Sequence, residues 1–130
     1  MNETRRSFLK KTAAASSATI VAPTILSSKV FGSNDRINAA VLGVNGRGKN
    51  HISSLMNQKN VQVTTLCDPD IKVLDKRQKE FSKKYNEKIS LEQDLRKVMD
   101  NKDIDVISIA SPNHWHSLSV IWACQAGKDV

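Results

Sequence analysis

The chain reads as one α/β domain on a doubly wound parallel sheet, incomplete at its C-terminus and preceded by a separate signal segment. Three observations predict this. From residue 36 onward, short apolar β-rich runs alternate with runs whose apolar residues recur at helical spacing. A glycine-rich stretch closes the first apolar run, as expected where a strand turns into a helix. The later runs end in Cys67-Asp68-Pro69-Asp70 and Ser111-Pro112-Asn113-His114-Trp115-His116, polar turns on the edge where parallel strands finish.

The elements follow in order. Ile37-Asn38-Ala39-Ala40-Val41-Leu42 is a short apolar run that suits a buried strand. Ile52, Leu55 and Met56 recur at i, i+3, i+4, so a helix follows the glycines. Val61 to Leu66 is β-branched and predicts a second strand. Residues 71–85 carry Val73, Leu74 and Phe81 on one face of a charged helix. Leu91, Leu95, Val98 and Met99 predict a third helix, and residues 104–110 an apolar strand. Leu118, Ile121, Trp122 and Ala126 predict a last helix stopped by Gly127, after which Asp129-Val130 opens one more strand.

Length and composition narrow the possibilities. A chain of 130 residues holds one domain, and 39% hydrophobic with 25% charged residues is an ordinary globular mix. Two Cys are too few for a disulfide scaffold or a four-ligand zinc site. The net charge of +7 would raise nucleic acid as a partner, but it is unevenly spread. Residues 1–34 hold Arg5, Arg6, Lys10, Lys11 and Lys29 against Glu3 alone, leaving residues 35–130 only mildly basic and no case for nucleic acid.

Residues 1–34 look like a leader. Thr4-Arg5-Arg6-Ser7-Phe8-Leu9-Lys10 precedes a weakly apolar Ala/Ser/Thr-rich run from Thr12 to Leu26, then small and polar residues. Basic, then apolar, then small is the layout of an export signal. The apolar run is shorter than the roughly 20 residues a stable membrane span needs. A basic amphipathic helix on a membrane and a disordered basic arm are the alternatives. The paired arginines followed by Phe-Leu-Lys resemble the twin-arginine signal, with cleavage near Val30-Phe31-Gly32. That resemblance implies passage through the twin-arginine machinery to the periplasm, a route for folded proteins that often carry a cofactor.

The loop Gly43-Val44-Asn45-Gly46-Arg47-Gly48 carries the first chemical signal. In a dinucleotide loop, glycines allow the tight turn, the approach of backbone to pyrophosphate and close helix packing. Gly43 and Gly48 fill the first and third positions, while Asn45 replaces the second; Asn tolerates the left-handed backbone well enough to keep the turn. Gly46 and Arg47 complete the cradle, Arg47 as a cation near the phosphates. Gly43, Gly48 and Lys49 also fit a P-loop up to its last position, where Asn50 stands in place of the Mg²⁺-binding hydroxyl.

Asp68 separates the two. It closes the second strand 25 residues after Gly43, where an acid binds the adenosine ribose. A carboxylate there repels a 2′-phosphate, and Pro69 follows in place of an arginine, which favours NAD over NADP. Asp70 better suits a helix cap. The second signal is the His114-Trp115-His116 run at a strand-to-helix switch. Imidazoles two residues apart do not share a helix face and no third ligand is near, so no metal site is expected.

With these residues in view, 36–130 resemble the N-terminal domain of the Gfo/Idh/MocA oxidoreductases. The carriers are residues 40–48, Cys67-Asp68-Pro69-Asp70, the run from Asp105 to His116, and Ala123-Cys124-Gln125-Ala126-Gly127-Lys128-Asp129-Val130. The resemblance implies a Rossmann domain in which Gly43, Asn45, Gly46, Arg47 and Gly48 hold the pyrophosphate and Asp68 the ribose. It implies that Asn113, His114, Trp115 and His116 line the cofactor near the nicotinamide. It further implies a sugar or polyol substrate and a homo-oligomer for the full-length protein, with NAD-dependent glycosidases as a related exported branch. Family members continue into a Glu-Lys-Pro turn and a substrate domain, which this sequence does not include. The catalytic base is therefore expected beyond Val130, with His116 the one candidate inside the chain, and the 130 residues alone are expected to be marginally stable and inactive in hydride transfer.

Overall fold

The computed structural model describes residues 36–130. The proposed signal segment lies outside the described residues. Four strands form one parallel sheet: β1 (Ile37–Leu42), β2 (Val61–Cys67), β3 (Ser90–Glu92) and β4 (Val106–Ile109). Their order is β3-β2-β1-β4. Four helices cross between them: α1 (Gly48–Met56), α2 (Ile71–Tyr85), α3 (Leu95–Asp100) and α4 (Asn113–Gln125). The chain runs outward from β1 to β3, then returns to the other side of β1 for β4, so the expected doubly wound sheet is present.

Strand alternation divides the core into two layers. Ala39 and Val41 of β1 face one side with Val63, Leu66, Ile52 of α1 and Leu74 and Phe81 of α2. Ala40 and Leu42 face the other with Ile107, Val98 and Met99 of α3 and Ala123 of α4. Both faces of β1 are therefore covered, which is why its sequence is a continuous apolar run and not an alternating one.

The helix ends explain where the chain turns. Asp70 caps α2 by accepting the Lys72 N–H at 2.9 Å, the role expected of it. Asn86 ends that helix in the left-handed conformation, φ 54°. At the end of α4, Gly127 has φ 73°; its N–H donates to the Cys124 carbonyl and the Lys128 N–H to the Ala123 carbonyl, a Schellman closure. Asp129 then pairs in parallel with Val106 as an isolated bridge beside β4, where the further strand is expected.

Two expectations need correction. Leu91 belongs to β3, not to the third helix; a three-residue strand is too short to show alternation, and pairing with Thr65–Cys67 of β2 creates it. The fourth strand spans Val106–Ile109, narrower than residues 104–110, because Ile104 sits before the ladder. On α4, Ser119 and Ala123 are buried and Trp122 packs partly against the same core layer, while Leu118 and Ile121 are exposed. Among the described residues, no helix is long and apolar enough to cross a membrane.

Candidate functional site

The carboxyl ends of β1, β2, β3 and β4 open into a cleft of about 1090 Å³. It lies where the strand order reverses between β1 and β4, the switch point at which open α/β sheets take ligands. The loop after β1 forms its floor, Asp68 and Pro69 one wall, the Gln93–Arg96 turn another, and Ser111, Pro112, Trp115, Ser119 and Trp122 the far side.

The glycine loop has little freedom. Gly43 has φ 79°, and a Cβ there would come within 2.6 Å of the Ser111 backbone nitrogen. A Cβ on Gly48 would collide with the Gly43 carbonyl oxygen, so the start of α1 is packed directly against the end of β1. These are the two positions at which the sequence pattern demanded glycine. Asn45, however, is not left-handed: among the described residues Asn86 is the one non-glycine with positive φ. The turn is made by Gly43 alone, and Asn45 needs no special backbone tolerance. Gly46 has open space around it.

Two side chains hold this loop in place. Asp68 is 7% exposed; its Oδ2 accepts the Val44 N–H at 3.0 Å and its Oδ1 the Asp70 N–H at 3.1 Å. A carboxylate has about four acceptor positions, so two remain for further donors. Arg77 reaches from α2 and donates from Nε to the Val44 carbonyl at 2.6 Å and from Nη2 to the Asn45 carbonyl. Meanwhile the Asn45, Gly46 and Arg47 N–H groups find no acceptor of ordinary geometry among the described residues. Asn45, Gly46 and Arg47 line the cleft, and Arg47 is the exposed N-cap of α1. Unpaired amides at the positive end of a helix form an anion site.

The other expected residues divide. Trp115 lines the cleft, 41% exposed. Gly48 is buried behind the cleft as a packing position. Asn113 and His114 lie exposed on the first turn of α4, outside the cleft lining. His116 turns back on its own loop, where Nε2–H donates to the Ser111 carbonyl at 2.7 Å. It braces the loop that carries Trp115. Lys49, which a P-loop would aim at phosphates, instead has its Nζ 3.9 Å from Glu80 and does not line the cleft.

Sequence reasoning missed the turn after β3. Asp94 caps α3 by accepting the Arg96 N–H, and the Arg96 guanidinium grips the same carboxylate, holding it down to about 2. Without β3, nothing in the sequence placed this turn on the cleft. Cys67 at the cleft base is a buried thiol; burial first, then the negative charges of Asp68, Glu92 and Asp94, pushes it up to about 12. Among the described residues no group of three or more His, Cys, Asp or Glu is placed to hold a metal ion.

With this geometry, residues 37–130 match the oxidoreductase family with an NAD-binding Rossmann fold. The chain belongs to the Gfo/Idh/MocA family. The glycine loop after β1, the acid that closes β2 and the parallel sheet are the features of that fold described above. The residues fit the cofactor: the amides of Asn45, Gly46 and Arg47 would face the pyrophosphate and the free lone pairs of Asp68 the ribose hydroxyls, while the backbone around Gly43 leaves room for no side chain. Glycosyl hydrolase family 109 protein 2 of Shewanella sp. strain ANA-3 is 25% identical over an alignment of 144 residues, covering 95% of this chain and 32% of the relative. The alpha-N-acetylgalactosaminidase of Shewanella oneidensis is 26% identical over 96 residues, covering 71% of this chain and 21% of that protein. The scyllo-inositol dehydrogenase of Lactobacillus casei, solved with NAD(H) and scyllo-inositol, superimposes with a TM-score of 0.60 at 22% identity, covering 72% of this chain and 26% of that one. The chain thus spans about a third or less of the length of these curated relatives.

Proposed function

We propose that this chain contributes the NAD-binding half of an exported oxidoreductase that acts on a sugar or polyol. What carries the reading is the cleft itself: unpaired loop amides, a partly satisfied buried carboxylate and a tryptophan wall, all at the switch point of the sheet. When bound, NAD supplies hydride acceptance and donation. The chain's own residues bind and orient: the loop amides neutralise pyrophosphate, Asp68 selects an unphosphorylated ribose, and Trp115 and Trp122 shield one side from water. Support for the substrate class comes from inositol dehydrogenases among the structural relatives. In this reading His116 sets loop shape, the general base lies in a substrate domain, and the 130 residues alone do not turn over substrate.

The second reading is an NAD-dependent glycosidase of the same family, favoured by the family 109 relatives and by the alpha-N-acetylgalactosaminidase among them. Both share the cofactor half. In both, residues 1–34 direct a folded, cofactor-loaded protein through the twin-arginine machinery to the periplasm, where the full-length protein assembles as a homo-oligomer.

The experiment is direct, because both tryptophans of the chain line the cleft. Titration with NAD should change tryptophan emission saturably, NADP should act more weakly, and ATP–Mg²⁺ should not compete. Saturable ATP–Mg²⁺ binding with no response to NAD would overturn the cofactor assignment. For export, fusing residues 1–34 to a reporter and replacing Arg5-Arg6 with Lys-Lys should abolish periplasmic delivery; unchanged delivery would remove the twin-arginine assignment.

A further inference from the structure

Arg77 is out of character for its position. It shares the inward stripe of α2 with Leu74 and Phe81, and is 7% exposed. A buried guanidinium is stabilised only when its donors are used. Here Nη1 pairs with Glu80, Nε donates to the Val44 carbonyl at 2.6 Å and Nη2 to the Asn45 carbonyl. Both backbone partners are consecutive carbonyls of the dinucleotide loop, 33 and 32 residues away in sequence.

Consecutive carbonyls drawn to one side have a consequence for the amides. In a trans peptide the C=O and N–H point in opposite directions, and the described residues contain no cis bond. The Val44 carbonyl shares its peptide plane with the Asn45 N–H, and the Asn45 carbonyl shares its plane with the Gly46 N–H. Drawing the two carbonyls toward α2 therefore turns the two N–H groups away from it. Asn45 and Gly46 line the cleft on that opposite side, and their N–H groups have no acceptor among the described residues. The Val44 N–H is fixed separately by Asp68, so the loop is gripped from β2 at its amide and from α2 at its carbonyls.

We infer that Arg77 is a positioning residue for the pyrophosphate cradle: it does not touch the cofactor, but aims the Asn45 and Gly46 amides at it. The inference rests on the NAD-binding reading of the cleft. Lysine keeps the charge but lacks the planar fork and reaches one carbonyl at a time. Methionine keeps the stem and removes every donor.

The test uses the full chain with Arg77→Lys and Arg77→Met. NAD and ADP-ribose affinities are measured by tryptophan emission, adenosine binding by ligand-observed NMR, and folding by thermal melting. Loss of positioned amides should weaken NAD and ADP-ribose roughly tenfold or more in Arg77→Met, and less in Arg77→Lys, while adenosine, which has no phosphate, binds as in the unaltered chain. A brace that served stability alone would lower the melting temperature and leave the ratio of NAD to adenosine affinity unchanged; that result overturns the inference. If neither variant folds, the unaltered chain decides: the Arg77 Nε–H signal should be sharp and slow to exchange, and the Asn45 and Gly46 amide signals should move on adding ADP-ribose. A fast-exchanging Nε–H, or Asn45 and Gly46 signals that stay in place, also overturns it. Failure of the unaltered chain to bind NAD would instead reject the cofactor reading itself.

Discussion

The Asp68 carboxylate accepts the backbone N–H of Val44 at 3.0 Å, joining the end of β2 to the first turn after β1. One side chain thus both shapes the dinucleotide loop and presents acceptors to the cleft. Asp68→Ala should therefore fail in two ways. The buried Val44 N–H loses its partner, at a cost of about 1–3 kcal/mol in urea unfolding, and NAD affinity drops roughly tenfold or more by titration. Asp68→Asn, with one carbonyl oxygen for two N–H donors, should fall between. Unaltered NAD affinity in Asp68→Ala would remove Asp68 from the site.

Gly43 and Gly46 should separate cleanly. Alanine at 43 must adopt φ 79° and press into the Ala110–Ser111 backbone, so Gly43→Ala should lose about 2 kcal/mol or more of stability. Alanine at 46 meets nothing within 4 Å, and unfolding should change by no more than about 0.5 kcal/mol. Equal losses at the two positions would show that the loop is not held as described.

The two cysteines should differ in chemistry. Cys124 is exposed and Cys67 buried with its thiol pushed up to about 12. Near neutral pH a thiol reagent should label one group quickly, and Cys124→Ser should abolish that phase. Because the folded Cys67 stays neutral where an unfolded thiol ionises, its contribution to stability is intact below pH about 9 and declines as pH rises toward 12. Denaturation midpoints across that window, compared with those of Cys67→Ala, read the decline as a difference in slope. Two equally fast thiols would contradict the burial.

Lys128 is 8% exposed, and its Nζ donates to the Asn101 carbonyl at 2.6 Å and the Ile104 carbonyl at 2.9 Å. It closes the C-terminal end of α3 from the chain that leaves α4. Lys128→Met keeps the stem but orphans the Ile104 carbonyl and leaves the Asn101 carbonyl only the long Ile104 N–H, and should cost about 1–3 kcal/mol in chemical denaturation while NAD binding to the folded fraction is retained. A loss within a few tenths would mean that water replaces the ammonium there.

Much of this architecture was legible because helical and strand periodicities differ so strongly. Residues 71–85 read as a helix from one apolar stripe and a capping Asp70, and that is what α2 is. What stayed hidden is instructive. The β3 ladder draws its existence from three residues of β2, so no local pattern announces it, and the Asp94–Arg96 wall of the cleft was lost with it. On α4 the buried positions are the small Ser119 and Ala123, which apolar spacing does not single out. Arg77 was passed over because a charged residue in a charged helix reads as solvent-facing; its place between Leu74 and Phe81 on the apolar stripe was the available clue.

The contact between Gly43 and Ser111 is backbone against backbone. A flexible side chain at such a junction would act as a cushion and let the two loops move independently. Here there is none. The loop after β1 and the turn that leads into α4 therefore meet with no side chain between them, and a substitution that displaces either backbone has to displace the other.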